Sequence, residues 1–321
     1  MREPIIEHTH IAQFAERFVA IPRDRETKCQ ELFSRMSARL REYKEVNPQS
    51  GLVKFVLSGP VAKGIVLRTT ENIDVALYLT DRLAPSSAVE LHVWLLERLR
   101  TLFPPMLLSP KQPPVPAIAF SLPDAPLPLL LTPVYDDEAP DGGGRQFAKE
   151  TGELVRTSIP LRIALFQKRK DSQPVHFAQV YRLLEWWAEQ RRKDPAFHFK
   201  SFLIELLCVH LADRGVVMSN YPAALEAFFS YVADTQLKER VAFFDYYSPQ
   251  DLPSPSGAPI EIFDPISPRN NVAVAYDDAD RRHFVDAAAA SFDAINTAKR
   301  AASKKEAVAC WRSVLGDSFD A

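Results

Sequence analysis

An α+β chain, with a sheet-building first half and a helical second half, is what this sequence of 321 residues predicts. Short apolar runs bounded by Gly and Pro fall between residues 52 and 135, the signature of buried strands. Beyond about residue 158, apolar residues recur at three- and four-residue spacing. The expected division is a mixed-sheet core with N-terminal helices over residues 1–157 and a helical lobe over 158–321, with ligands taken between them.

In order, residues 5–21 and 25–43 carry helical periodicity through Ile6, Phe14, Phe18, Leu32, Met36 and Leu40. Leu52–Leu57 reads as a buried strand ending in Ser58-Gly59-Pro60, and Ile73–Leu79 as a second. A helix follows over 87–103, then strands over Pro113–Leu122 and Leu127–Tyr135. Residues 136–157, with Asp136-Asp-Glu138 and Gly142-Gly-Gly144, read as the least regular part, and the glycines as a mobile surface loop. Helices are expected over 159–170, 176–193, 200–215, 221–235 and 280–315, and a Pro-, Ser- and Asp-rich loop over 248–272.

Lys and Arg total 39 against 41 Asp and Glu, a net charge of −2. That balance argues against a standing grip on long nucleic acid. Cys29, Cys208 and Cys310 are scattered and without zinc spacing, which suits a reducing compartment. The start, Met1-Arg-Glu-Pro4, has no apolar signal core, and no uncharged run reaches membrane-spanning length. A cytoplasmic protein is the expectation, with no membrane partner.

The informative stretch is Gly59-Pro-Val-Ala-Lys63-Gly64-Ile65-Val-Leu67-Arg68-Thr-Thr-Glu-Asn72-Ile-Asp74-Val-Ala-Leu-Tyr-Leu79. It resembles the strand–turn–helix–strand signature of the polymerase-beta-like nucleotidyltransferases, and in particular the oligoadenylate-synthetase and cyclic-GMP-AMP-synthase family. Three further stretches fall in that family's order. They are Leu129-Leu-Leu-Thr-Pro-Val-Tyr-Asp136, Phe177–Trp187 followed by Lys200-Ser-Phe-Leu-Ile-Glu205, and Phe263-Asp-Pro-Ile-Ser-Pro-Arg-Asn-Asn-Val272.

The resemblance implies a two-lobed fold and template-independent nucleotidyl transfer, an in-line displacement at phosphorus assisted by two divalent ions. Such ions need several oxygen ligands, which the family supplies as three carboxylates on two neighbouring strands. This sequence departs at those positions. Pro60 stands for the turn's serine, Ile65 for a threonine, Asn72 for the first aspartate and Leu130 for the third carboxylate, which leaves Asp74 as the surviving, vestigial acid. Glu185 stands where relatives carry a triphosphate-contacting lysine, so repulsion is expected there. Asp124, Asp136 and Asp137 are candidate substitute acids.

Gly59, Lys63, Gly64, Lys200 and Ser201 remain as nucleotide-binding candidates, although a solvated lysine and a serine N-cap explain Lys63 and Ser201 as well. The implied function is a catalytically impaired protein that binds a nucleotide, an oligonucleotide or a protein partner in antiviral or anti-phage signalling. It would require no cofactor, with Mg²⁺ or Mn²⁺ needed only by an active form. An active synthetase with a rearranged metal site and a structural dimerisation subunit are the alternatives.

Arg162 with Lys168-Arg-Lys170 and Arg191-Arg-Lys193 form basic helix ends, explained by the macrodipole or by a nucleic-acid surface. Glu205 reads as structural, His8 and His10 as exposed, and Trp186, Trp187, Phe228 and Phe229 as core.

Overall fold

A computed structural model describes residues 5–113, 116–148 and 152–321. Residues 114 and 115 of the expected strand Pro113–Leu122, and Met1–Pro4 with the signal-peptide reading made on them, lie outside the described residues. The chain forms two compact units, one from Ile21–Ala164 and one from the segment through Ala20 together with Leu165–Ala321. The expected boundary at 157/158 therefore shifts a few residues, and the first of the two N-terminal helices joins the helical unit instead of the sheet core.

The Ile21–Ala164 unit holds α2 (Arg23–Val46), β1 (Leu52–Leu57), α3 (Gly59–Lys63), β2 (Ile73–Thr80), α4 (Ala88–Leu102), β3 (Leu107–Leu108), β4 (Ile118–Ser121), β5 (Leu129–Asp136), β6 (Gly143–Phe147) and β7 (Leu154–Ser158). The sheet runs β1-β2-β5-β4-β3, with β6 paired to the far end of β5 and β7 to β6. β2 and β5 are parallel and the other pairs antiparallel, so the sheet is mixed as expected.

Alternation along β2 sorts its side chains. Val75, Leu77 and Leu79 enter the main core with Leu129, Leu131 and Tyr135 of β5, beneath Leu32, Met36 and Leu40 of α2 and Leu91, Leu95 and Leu99 of α4. Ala76 and Tyr78 lie on the other face with Val134, packed by Val53, Val56 and Ile159. Asp74 shares that second face by register.

Residues 136–148 and 152–157 are more regular than their composition suggests, while 149–151 of that stretch lie outside the described residues. Gly142, Gly143 and Gly144 are buried, and the latter two open β6. A Cβ at Gly144 would sit 2.4 Å from the Tyr135 carbonyl oxygen, so the missing side chain lets β6 close on β5. Glycine's poor strand propensity hid this hairpin. The Tyr78 hydroxyl donates to the Gly142 carbonyl at 2.9 Å and ties it to β2. Tyr78→Phe is expected to cost about 1–2 kcal/mol, because a buried carbonyl loses its donor; a chemical-denaturation midpoint equal to wild type would contradict this.

The helical unit contains α1 (His8–Phe14), a π-helical turn Ala15–Val19, most of α5 (Ile159–Ser172), α6 (His176–Arg191), α7 (Ser201–Asp213), α8 (Tyr221–Thr235), α9 (Asp278–Arg300) and α10 (Lys304–Leu315). The expected single helix 280–315 is two, because Ala301 is extended and Ser303 caps α10 by accepting from Glu306 N–H. Trp187 is fully buried among Phe197, Phe229 and Phe284, and its indole donates to Ser291 Oγ at 2.8 Å. Phe14 meets Trp186 and Phe319, which explains why the N-terminal segment belongs here. No helix among the described residues is long and apolar enough to cross a membrane.

Candidate functional site

In the sheet unit the site begins where β1 stops. The Ser58 amide donates to the Asp74 carbonyl at 2.9 Å, which brings the turn back onto β2. Gly59 adopts φ +60°, and a Cβ there would stand 2.1 Å from Asp74 Oδ2. The bare glycine therefore makes the room in which the Asp74 carboxylate lies. Pro60 falls in the first turn of α3, where its missing N–H has no intrahelical role, and its carbonyl accepts from Ile65 N–H at 3.0 Å. Gly64 closes α3 in the left-handed region at φ +65°. Lys63 is only 7% exposed, so the expected solvated lysine is a buried one. Ile65 is also buried, and Asn72 is partly exposed just before β2.

The parallel register pairs Asp74 with Leu130 on the neighbouring strand. Leu130 thus occupies the adjacent-strand position beside Asp74 on the same face. Asp136 pairs with Thr80, six residues further along, and so lies roughly 20 Å from the Asp74 level. Asp136 is bound instead to Lys54, and Asp137 to Arg145, which also holds Asp81. Neither is a substitute ligand. Asp124 lies exposed in the turn before β5. Among the described residues no three His, Cys, Asp or Glu side chains form a group able to hold a metal ion. One carboxylate facing a leucine does not fit a pair of Mg²⁺ ions. A hollow of about 390 Å³ lined by Tyr43, Asn47, Ser50, Glu97, Arg98 and Thr101 includes none of these candidates.

The helical unit carries the other candidates. Glu185 is 5% exposed, and its Oε1 accepts from Arg192 at 2.7 Å and from the Ser201 hydroxyl at 2.6 Å. Its charge is paired inside the protein with Arg192, a partner that the expected repulsion of a triphosphate did not take into account. Arg192 also donates to the Phe199 carbonyl at 2.8 Å, so the linker into α7 is tied to α6. Sequence reasoning missed this partner; its signal is the seven-residue spacing that puts positions 185 and 192 on one helix face. Ser201 is likewise not the cap expected of it, since Lys200 takes the N-cap position and Ser201 turns to Glu185. The Lys200 N–H donates to the Tyr276 hydroxyl at 3.0 Å, and its ammonium lies 5.9 Å from that ring. Glu205 is buried near Tyr181, whose phenol is pushed up by burial and then by Glu185 and Glu205.

The remaining motifs are structural. Asp264 is fully buried and accepts from the Ile266 amide and from Asn270, while Asn271 accepts from Ile262 and Ala273 amides and donates to Ile260. The basic end of α5 is largely neutralised: Arg169 and Lys168 both hold Asp245, and Arg169 also holds Asp213.

This geometry has close counterparts. The chain is 38% identical over 315 residues to the cyclic AMP-AMP-AMP synthase of Escherichia coli strain MS 115-1, with 98% of each covered. The chain belongs to the cyclic-GMP-AMP-synthase-like (CD-NTase) nucleotidyltransferase family. The solved structure of E. coli MS115-1 CdnC with ATP superposes with a TM-score of 0.93 at 37% identity, covering 98% of this chain and 99% of that one. The same protein in complex with HORMA-deltaN gives 0.90 at 37%, with the same coverage. Vibrio cholerae DncV with GTP bound, at 10% identity and a TM-score of 0.65 over 100% of this chain and 98% of its own, shares the fold. No family profile matches the chain.

Proposed function

We propose that the chain acts in anti-phage nucleotide second-messenger signalling, as a nucleotidyltransferase-type protein that takes a nucleoside triphosphate. The similarity to a cyclic AMP-AMP-AMP synthase along the whole length supports this. A protein partner of the HORMA kind, as bound by the E. coli relative, belongs to the same proposal.

Two readings of its own chemistry follow. By comparison alone, a working synthetase with a rearranged metal set has the better backing, because the similar E. coli chain is a named synthase. The residues of the site favour a binder that has lost turnover. The observation that carries this second reading is the pairing of Asp74 with Leu130, where two-metal transfer needs a further carboxylate. Asn72 removes a charge just before β2, and Pro60 removes a hydroxyl from the turn after β1. Glu185 is paired through Oε1 with Arg192 and Ser201, which lessens its opposition to an anion and supports ligand binding despite the substitutions.

The deciding experiment incubates the purified chain with radiolabelled ATP and Mg²⁺ or Mn²⁺, and measures ATP binding in parallel. The site's residues predict binding without an oligonucleotide product. A product that disappears in Asp74→Ala would establish the synthetase instead.

A further inference from the structure

Three helices of the helical unit begin at one point. His8 opens α1, His176 opens α6 and Tyr221 opens α8. The His8 ring lies 4.1 Å from the Tyr221 ring and 5.9 Å from that of His176. His8 Nδ1 accepts the Tyr221 amide proton at 3.3 Å, and His176 Nδ1 lies 3.3 Å from the Tyr221 hydroxyl. His176 is held by a tight turn in which its own N–H donates to the Pro174 carbonyl at 2.8 Å and Val175 takes φ +67°. This corrects the expectation of a simply exposed His8.

We propose that the His8–His176–Tyr221 cluster is an acid-released latch that fastens the N-terminal segment, through Val19, to the helical unit. An accepting Nδ1 requires neutral His8, because the imidazolium has only donors. Protonation therefore removes the bond from Tyr221 and places positive charge beside a second imidazole, at the positive ends of α6 and α8. The opposing groups are few. Glu16 of the π-helical turn and Arg182 of α6 both act on Tyr221 with opposite sign, and His10 is engaged by the Glu7 amide. Burial and then His176 hold the His8 imidazole below its usual value of 6.5.

The unfolded segment thus takes up protons more readily than the folded one. Latch stability is complete above about pH 6.5 and falls as the pH drops from there toward the folded value. Release would uncover the apolar bed formed by Trp186 and Phe319, now covered by Phe14.

Hydrogen exchange followed by mass spectrometry on the full chain tests this at pH about 7.5 and about 5.5, on either side of the ordinary histidine value. After correction for intrinsic rates, amides of residues 8–19 should lose protection about tenfold at the lower pH while α9 is unchanged. The doubly substituted His8→Phe/His176→Phe chain should show no such response. Equal protection at both pH values, loosening of the whole unit together, or a response that persists in the double variant would overturn the latch. Should that variant fail to fold, carbon-13 histidine titration of the wild type decides: His8 must titrate below 6.5, and a His8 value at or above 6.5 would overturn the latch.

Discussion

Replacing Arg169 by alanine is expected to destabilise the helical unit by about 3–5 kcal/mol, the usual penalty for removing one partner of a buried ion pair. The guanidinium is 8% exposed and forks onto two aspartates, meeting Asp213 at 2.9 and 2.7 Å and Asp245 at 2.8 and 2.7 Å. Asp245 is equally buried and would keep only the exposed Lys168 as a charged partner, so it carries most of the cost; Asp213 is 42% exposed and contributes less. Arg169→Lys should recover little, because an ammonium cannot make the paired bonds. The hydrogen bonds from Arg169 hold the Asp245 carboxyl below its usual 3.8. Its contribution is therefore complete above about pH 3.8 and lost as the pH falls through the depressed folded value, a dependence that Arg169→Ala should largely remove. Urea unfolding monitored across that range measures both effects, and a loss under about 1 kcal/mol would count against the clamp.

Gly59→Ala should cost about 2–3 kcal/mol, because a side chain is unfavourable at positive φ and here also strikes a carboxylate. The new methyl would need the space held by Asp74 Oδ2, and the Asp74 Cβ is only 2.9 Å away. The acid must swing out or the turn must open. A double-mutant cycle separates the two contributions. In an Asp74→Gly background the collision disappears and the conformational penalty stays, so Gly59→Ala should cost roughly half as much. Additive losses would mean that the two residues are not in contact in solution.

How far the sequence revealed this depends on where the information lay. Asp74 and Leu130 were legible through the family resemblance, which set the two strands side by side; the observed register keeps that pairing, because one slipped residue would turn a whole core face outward. The burial of Lys63 could not be read, since a glycine-bounded turn says nothing about what packs over it. The pairing of Glu185 was out of reach for a related reason: its partners are Arg192 and Ser201, one reached along the helix face and the other across a loop. The β6 strand was missed because its glycines serve a close backbone approach, a tertiary demand that overrides propensity.

The helical unit is assembled from the two ends of the chain, with the sheet unit in between. During synthesis this inverts the usual order, in which what emerges first folds first. Ile11, Phe14 and Val19 leave the ribosome early, yet the helices they cover lie beyond roughly 140 further residues. At ordinary elongation rates that is a wait of roughly 10–30 s, during which the sheet unit can fold and the first helix has nothing to dock on. An apolar segment made well before the helices that cover it is therefore buried late, and for that interval it is open to chaperones or to another nascent copy.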